Sequence, residues 1–296
     1  MEKGRQQLHR DWVMKKAFCA LLITLLLTGC NTSQAHGPTP LEAGYRYSSY
    51  GPTSNPGAEY WPEVGQRIAS EFENATPATI WIVGVVDGEG SYLNFPCETD
   101  DPNIHCGPVD MNESMLTTFD EQGFDVWLQV EAGNADMDEL IDIVLGQYEH
   151  HPSVVGFGVD VEWYKSSQVP QGEPVSDEVA QAWVRAIRNH HPEYQLFLKH
   201  WDTAWMPPTA RDGILFINDS QGFESFEQMT TEFTEWGKTF APARVGFQYG
   251  YQADQRWWSE MQNPASEIGH VLLEKIPNTQ ALFWVDFTIL ETFPPE

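Results

Sequence analysis

Along the chain, short apolar runs alternate with longer stretches in which apolar residues recur every three or four positions. The runs are YRYSSY (45–50), TIWIVGVV (79–86), DVWLQVEA (125–132), VVGFGVDVEW (154–163), YQLFLKHW (194–201), GILFIND (213–219), RVGFQYGY (244–251) and ALFWVDF (281–287). Helical periodicity falls between them, over 59–73, 135–149, 176–190, 224–239 and 264–276. SDEVAQAWVRAIRNHHP shows how such a segment is bounded: Ser176 suits an N-cap, Asp177 and Glu178 the first turn, and Pro192 a stop. Strands alternating with helices predict βαβ units and a parallel sheet. Eight of them predict an α/β fold, a single-domain (β/α)8 TIM barrel. An open doubly wound sheet is the second architecture, but no Gly-rich phosphate loop follows the first strand. Segment 45–50 is polar and reads equally well as a loop.

The period of two in a strand then sorts side chains by face. In the fourth run, Gly156, Gly158, Asp160 and Glu162 share one face, and Val155, Phe157, Val159 and Val161 take the other. The second set suits packing under helices, so the carboxylates point into the barrel and Glu162 comes last. Barrel sites sit at the C-terminal ends of strands. The other runs end alike: Gln129 and Glu131 on the third, Lys199-His200-Trp201-Asp202 on the fifth, Asn218-Asp219-Ser220 on the sixth, Gln248 and Tyr249 on the seventh, and Trp284 and Asp286, placed on one parity, on the eighth.

The N-terminal segment reads differently. From Met14 it has basic Lys15 and Lys16, an apolar run over 17–27, and Leu27-Thr28-Gly29-Cys30. The run is too short to span a bilayer and suits a signal peptide. It resembles a bacterial lipoprotein signal, which implies acylation of Cys30, a membrane-anchored mature chain and, with Asn31 following, outer-membrane sorting in a Gram-negative host. Residues 1–29 are therefore expected to be removed, with Met14 as a possible true start. Residues 30–43 read as a polar tether and 44–296 as the barrel. With Cys19 and Cys30 in that segment, Cys97 and Cys106 remain, and a lone pair in an exported chain predicts a disulfide. A metal site with His105 is the alternative, but its spacing fits no common zinc pattern.

Charge narrows the partners. The chain carries a net −27; residues 1–29 hold five Lys/Arg and two Asp/Glu, which leaves 11 against 41 in the rest. That excludes nucleic acid, whose binding needs clustered cations, and polyanionic substrates unless the site is locally basic. No cofactor or metal motif is present, and a monomer is expected.

Carboxylates beside Trp and Tyr suit carbohydrate: sugar C–H faces stack on rings, and hydroxyls bond to Asp, Gln and Lys. Glycosidic cleavage needs a proton donor and a second group at the anomeric centre. Glu162 is the candidate acid, raised by burial beside Trp163 and by Asp160; Glu131, Asp219 and Asp286 are the candidate partners. Trp163, Tyr164, Trp201, Asp202, Gln248, Tyr249 and Trp284 are candidates for substrate contact. Lys199 and His200 suit either a substrate or the surrounding acids. The long segment 87–124 is expected to shape the cleft. The pairs His150-His151 and His190-His191 follow helices and read as solvated ends.

Gly158-Val159-Asp160-Val161-Glu162-Trp163 resembles the middle of the DGxDxDxE motif on the fourth strand of family 18 glycoside hydrolases, the chitinases and endo-N-acetylglucosaminidases, and Trp284 resembles their strand-eight Trp. The resemblance implies glycan cleavage on a barrel. The motif is incomplete: placing Asp160 on its second Asp puts Tyr164 on the acid, and placing Glu162 on the acid puts Gly158 on an Asp. The Tyr164 register implies a non-catalytic glycan-binding barrel. A third reading is a metal-assisted deacetylase or phosphodiesterase using Asp160, Glu162, His200 and Asp202.

Overall fold

The structure, a computed structural model, describes residues 40–166 and 172–295. The first elements are β1 (Glu42–Tyr47), α1 (Tyr60–Ala69), β2 (Thr76–Asp87), β3 (Gly90–Leu93), β4 (Ile104–Cys106), α2 (Glu113–Gln122), β5 (Asp125–Val130), α3 (Met137–Tyr148) and β6 (Val154–Asp160). Then follow α4 (Asp177–His190), β7 (Gln195–Lys199), β8 (Ile214–Asn218), α5 (Phe226–Phe240), β9 (Val245–Tyr249), α6 (Gln255–Trp258), α7 (Pro264–Lys275), β10 (Thr279–Val285) and α8 (Ile289–Thr292). Eight parallel strands pair in the order β1-β2-β5-β6-β7-β8-β9-β10, and β1 pairs with both β2 and β10, so the sheet closes. This is the (β/α)8 barrel that the alternation predicts. All eight expected runs carry a strand, and the polar 45–50 run belongs to β1, which starts earlier, at Glu42.

Local chemistry sets the helix starts. Ser176 accepts the Val179 N–H, as its position predicts, Asp136 accepts from Asp138 and Glu139, and Ser225 accepts from Gln228. The helix α2 carries no strong periodicity and was not expected.

Period-two alternation divides the core into two layers. Ala78, Ile80, Ile82, Trp127, Phe197, Leu215, Ile217, Ala281 and Phe283 fill the inside of the ring. Phe157, Val159, Leu196, Leu198, Phe216 and Phe247 are among those that pack outward under the helices. Two glycines make the inner layer possible. A Cβ on Gly158 would lie 2.0 Å from the Phe197 ring, and one on Gly156 2.6 Å from Trp127. The rings of Trp127 and Phe197 meet edge to face, with centroids 5.8 Å apart. A shift in register between β5 and β6 beside Val126 breaks the alternation at Val155, which packs on the inner layer rather than the outer one.

The excursion after β2 is anchored at several points. The strand β3 returns antiparallel on β2, β4 adds parallel to β3, and a disulfide joins Cys97 to Cys106. Thr99 donates to Glu139 and the Asp136 N–H donates to Asp101, which ties the excursion to the start of α3. No helix among the described residues is long and apolar enough to cross a membrane.

Candidate active site

The C-terminal ends of the strands gather charge around one buried cation. Lys199, at the end of β7, lies inside the ring with its Nζ 2.6 Å from Asp160 Oδ2 and 3.3 Å from Asp219 Oδ2. All three are buried. Although burial works against the ammonium, the two carboxylates hold Lys199 protonated, with its pKa raised. Burial, then the neighbouring charges of Asp219 and Glu131, push the Asp160 carboxyl up against the pull of Lys199. A second pair closes the ring beside β1: Arg46 Nη1 lies 2.5 Å from Asp286 Oδ1, and Asp286 Oδ2 accepts the Ser48 N–H at 2.7 Å and its hydroxyl at 2.8 Å.

Glu131 follows β5. Its Oε2 accepts the Tyr50 hydroxyl at 2.6 Å and the Val86 N–H at 2.9 Å. Glu162 sits not on the strand but in the 3-10 turn Val161–Trp163 that follows it, because β6 ends at Asp160. It is half-buried at the rim of a cavity of about 400 Å³, shared with Trp201, Asp219, Ser220, Gln221 and Glu232. Burial, then the charge of Asp219, raise its pKa, with Lys199 opposing and Glu131 adding.

Trp201 is 37% exposed on this cavity and stacks on His200, with centroids 4.1 Å apart; His200 also stacks on Trp205. His200 Nδ1 accepts the Asp202 N–H at 2.8 Å, which places the ring proton on Nε2. Two other exposed aromatics, Tyr50 and Phe287, follow the C-terminal ends of β1 and β10, and Arg46 lies over the Phe287 ring. Several buried polar atoms at this end have no hydrogen-bond partner among the described residues: both side-chain atoms of Gln129, Asn218 Nδ2, Gln248 Nε2, Asp160 Oδ1 and Asp219 Oδ1.

The structure thus brings Glu162, Asp160, Glu131, Lys199, His200, Trp201 and Asp219 together at one mouth. Gln248 lies fully buried at the end of β9, where it accepts from the Tyr251 hydroxyl at 3.3 Å. Trp163 is half-buried in the turn with Glu162.

Five sequence-based expectations need correction. Trp284 points outward, fully buried, with its Nε1–H on Thr288 and its ring against Tyr249 and Trp258, so it offers no sugar platform. Tyr249 also faces the helices and donates to the Ala265 carbonyl. Tyr164 packs edge-on against Trp183 in the outer core. Asp286 is spent on Arg46 and Ser48 and is fully buried. Asp202 caps the 3-10 turn Thr203–Trp205 by accepting the Ala204 N–H.

The metal-assisted set of Asp160, Glu162, His200 and Asp202 does not converge, since Lys199 takes Asp160 and the turn takes Asp202. Among the described residues, the group of His and carboxylate ligand atoms close enough to share an ion is Glu113, His150 and His151. Sequence reasoning missed Arg46, Tyr50, Tyr251 and Glu232. Arg46 and Ser48 continue the inward parity of Glu42 and Gly44, a signal present in the sequence, whereas Glu232 arrives from α5 and carries no such signal.

A second cavity, of about 740 Å³, lies beside α3 and α4, where Tyr164, Trp183 and Lys165 meet Asp101, Asp136 and Asn134. Two of its acids are structural: Asp136 caps α3, and Asp101 accepts the N–H groups of Asn103 and Asp136.

No protein-family model and no curated protein sequence matches the chain. Solved structures do. An endo-1,4-beta-mannanase from Eisenia fetida superposes with a TM-score of 0.50 at 11% identity, over 83% of this chain and 84% of that one. A calcium-binding mutant of Bacteroides uniformis beta-glucuronidase 2 gives 0.49 at 11% identity, over 85% of this chain and 31% of that one. EndoBT-3987 of Bacteroides thetaiotamicron, with a Man5GlcNAc product, gives 0.40 at 10% identity, over 81% and 62%. The mannanase likeness is one of fold.

Proposed function

We propose that the chain is a glycoside hydrolase acting on a polysaccharide or glycan, with Glu162 as general acid and Asp219 as its partner carboxylate. The observation that carries the reading is that these two side chains line one open cavity beside an exposed Trp201. Asp219 is preferred to Glu131 because it lines the cavity with Glu162, whereas Glu131 is not among the cavity's lining residues and its Oε2 is taken by Tyr50 and Val86. Asp286, the third candidate, is sealed against Arg46. Burial, then the charge of Asp219, raise the pKa of Glu162, the direction an acid catalyst needs. Lys199 fixes the positions of Asp160 and Asp219 and offsets their charge. The N-terminal segment, which lies outside the described residues, supports export and lipid anchoring through Cys30.

The test is a glycan panel read by released reducing ends. Glu162→Gln is expected to lose about 10²–10⁴-fold in turnover with glycan binding retained. The alkaline limb of kcat/KM belongs to Glu162: activity falls as pH rises through its raised pKa. Unchanged turnover in Glu162→Gln removes it as the acid, and wild-type binding with no turnover on any glycan identifies a binding barrel instead.

A further inference from the structure

The turn between α3 and β6 holds His150 and His151. The expectation of solvated ends fails for His151, whose side chain is 3% exposed; that of His150 is 56% exposed. Their rings lie 4.1 Å apart. Both face Glu113, the first residue of α2: His150 Nε2 is 3.4 Å from Oε1, and His151 Nε2 is 3.3 Å from Oε2. On its other side, His151 Nδ1 lies 2.6 Å from Asp120 Oδ2, and Asp120 Oδ1 accepts the Ser153 N–H.

The short contact to Asp120 engages Nδ1 and leaves Nε2 as the nitrogen turned to Glu113. The contacts to Glu113 are long for a charge-assisted N–H···O bond, which runs about 2.7–2.9 Å. The two contacts run to different oxygens of Glu113; a tetrahedral Zn²⁺ with bonds of about 2.0–2.1 Å, whose ligand–ligand edges are about 3.3–3.4 Å, would take one of those oxygens together with both Nε2 atoms. The ligand atoms of the three residues all lie within 4.8 Å of one another. A carboxylate on the far nitrogen is how ligating imidazoles are oriented.

We propose that Glu113, His150 and His151 bind a divalent cation of the zinc type, with Asp120 as the residue that positions His151. Two imidazoles and one carboxylate suit a borderline transition ion rather than Ca²⁺ or Mg²⁺, which prefer all-oxygen sets. The site ties α2 to the turn entering β6, at the opposite end of that strand from Asp160. It therefore clamps the barrel wall and stands apart from the proposed glycan site.

The experiment uses the full chain, stripped with a chelator and titrated with ZnCl₂ by calorimetry and thermal melting. One equivalent of zinc is expected at this site, with Tm rising by about 5–10 °C at hundredfold excess over Kd. His150→Ala changes an exposed side chain, so the metal-free Tm should stay put while the zinc shift is lost. Asp120→Asn is expected to weaken zinc about 10–100-fold. No shift in the wild type, an equal shift in His150→Ala, or an equal shift from Mg²⁺ would each overturn the proposal.

Discussion

Glu42 and Asp160 are buried carboxylates inside the same ring of strands, one near each end, and they are held in opposite ways. At the N-terminal end, Glu42 pairs with no cation among the described residues. Its oxygens accept Trp127 Nε1–H at 2.6 Å and Gln280 Nε2–H at 3.0 Å, and burial, helped by Asp125, pushes its pKa up to about 7. At the mouth, Asp160 shares Lys199 with Asp219, and several neighbouring polar atoms make no bond among the described residues. The closed end satisfies its acid locally and stops there. The mouth keeps an ion network with spare bonding capacity, as the proposed ligand site requires. Burial of a carboxylate alone would not separate the two; what surrounds it does.

Removing the cation should hurt most. Lys199→Met leaves Asp160 and Asp219 facing each other without their counter-ion, at an expected cost of about 3–5 kcal/mol near neutral pH by urea unfolding. A cost below 1 kcal/mol would mean that the two ends are alike, with Asp160 held without a cation as Glu42 is. Next is Glu42. Its folded pKa exceeds the ordinary 4.5, so the folded state holds a proton that the unfolded state has released between 4.5 and about 7. Its contribution is present below that window and is lost as pH rises through it, by about 3 kcal/mol. Glu42→Gln should flatten the pH dependence of stability across the window; an unchanged slope would place the titration elsewhere. The smallest effect belongs to the rim. Trp201→Ala should weaken glycan binding by about 0.5–1.5 kcal/mol in a binding titration and leave stability within about 0.5 kcal/mol. A larger loss of stability would make Trp201 a structural partner of His200.

The barrel was legible because its apolar runs repeat with the right spacing, and the inward parity of Gln129, Asp160, Lys199 and Gln248 follows from period two. Parity is no guide past a strand's end, where it can hold or fail. Glu162 lies beyond the last residue of β6, in a 3-10 turn, and still reaches the mouth. Trp284 and Asp286 share parity on paper, but β10 ends at Val285, and the chain turns before Asp286. Asp286 therefore comes inward, while Trp284 stays with outward-facing Leu282. Tyr50 was hidden because it lies past the polar end of β1, where nothing in the pattern marks a direction.

The missing side chain at Gly158 and the ring of Phe197 occupy one volume between the fourth and fifth barrel strands. Bulk at these two positions can be exchanged but not added. Natural variants of this barrel should therefore trade size between them in pairs, and an engineer who enlarges one must shrink the other in the same step.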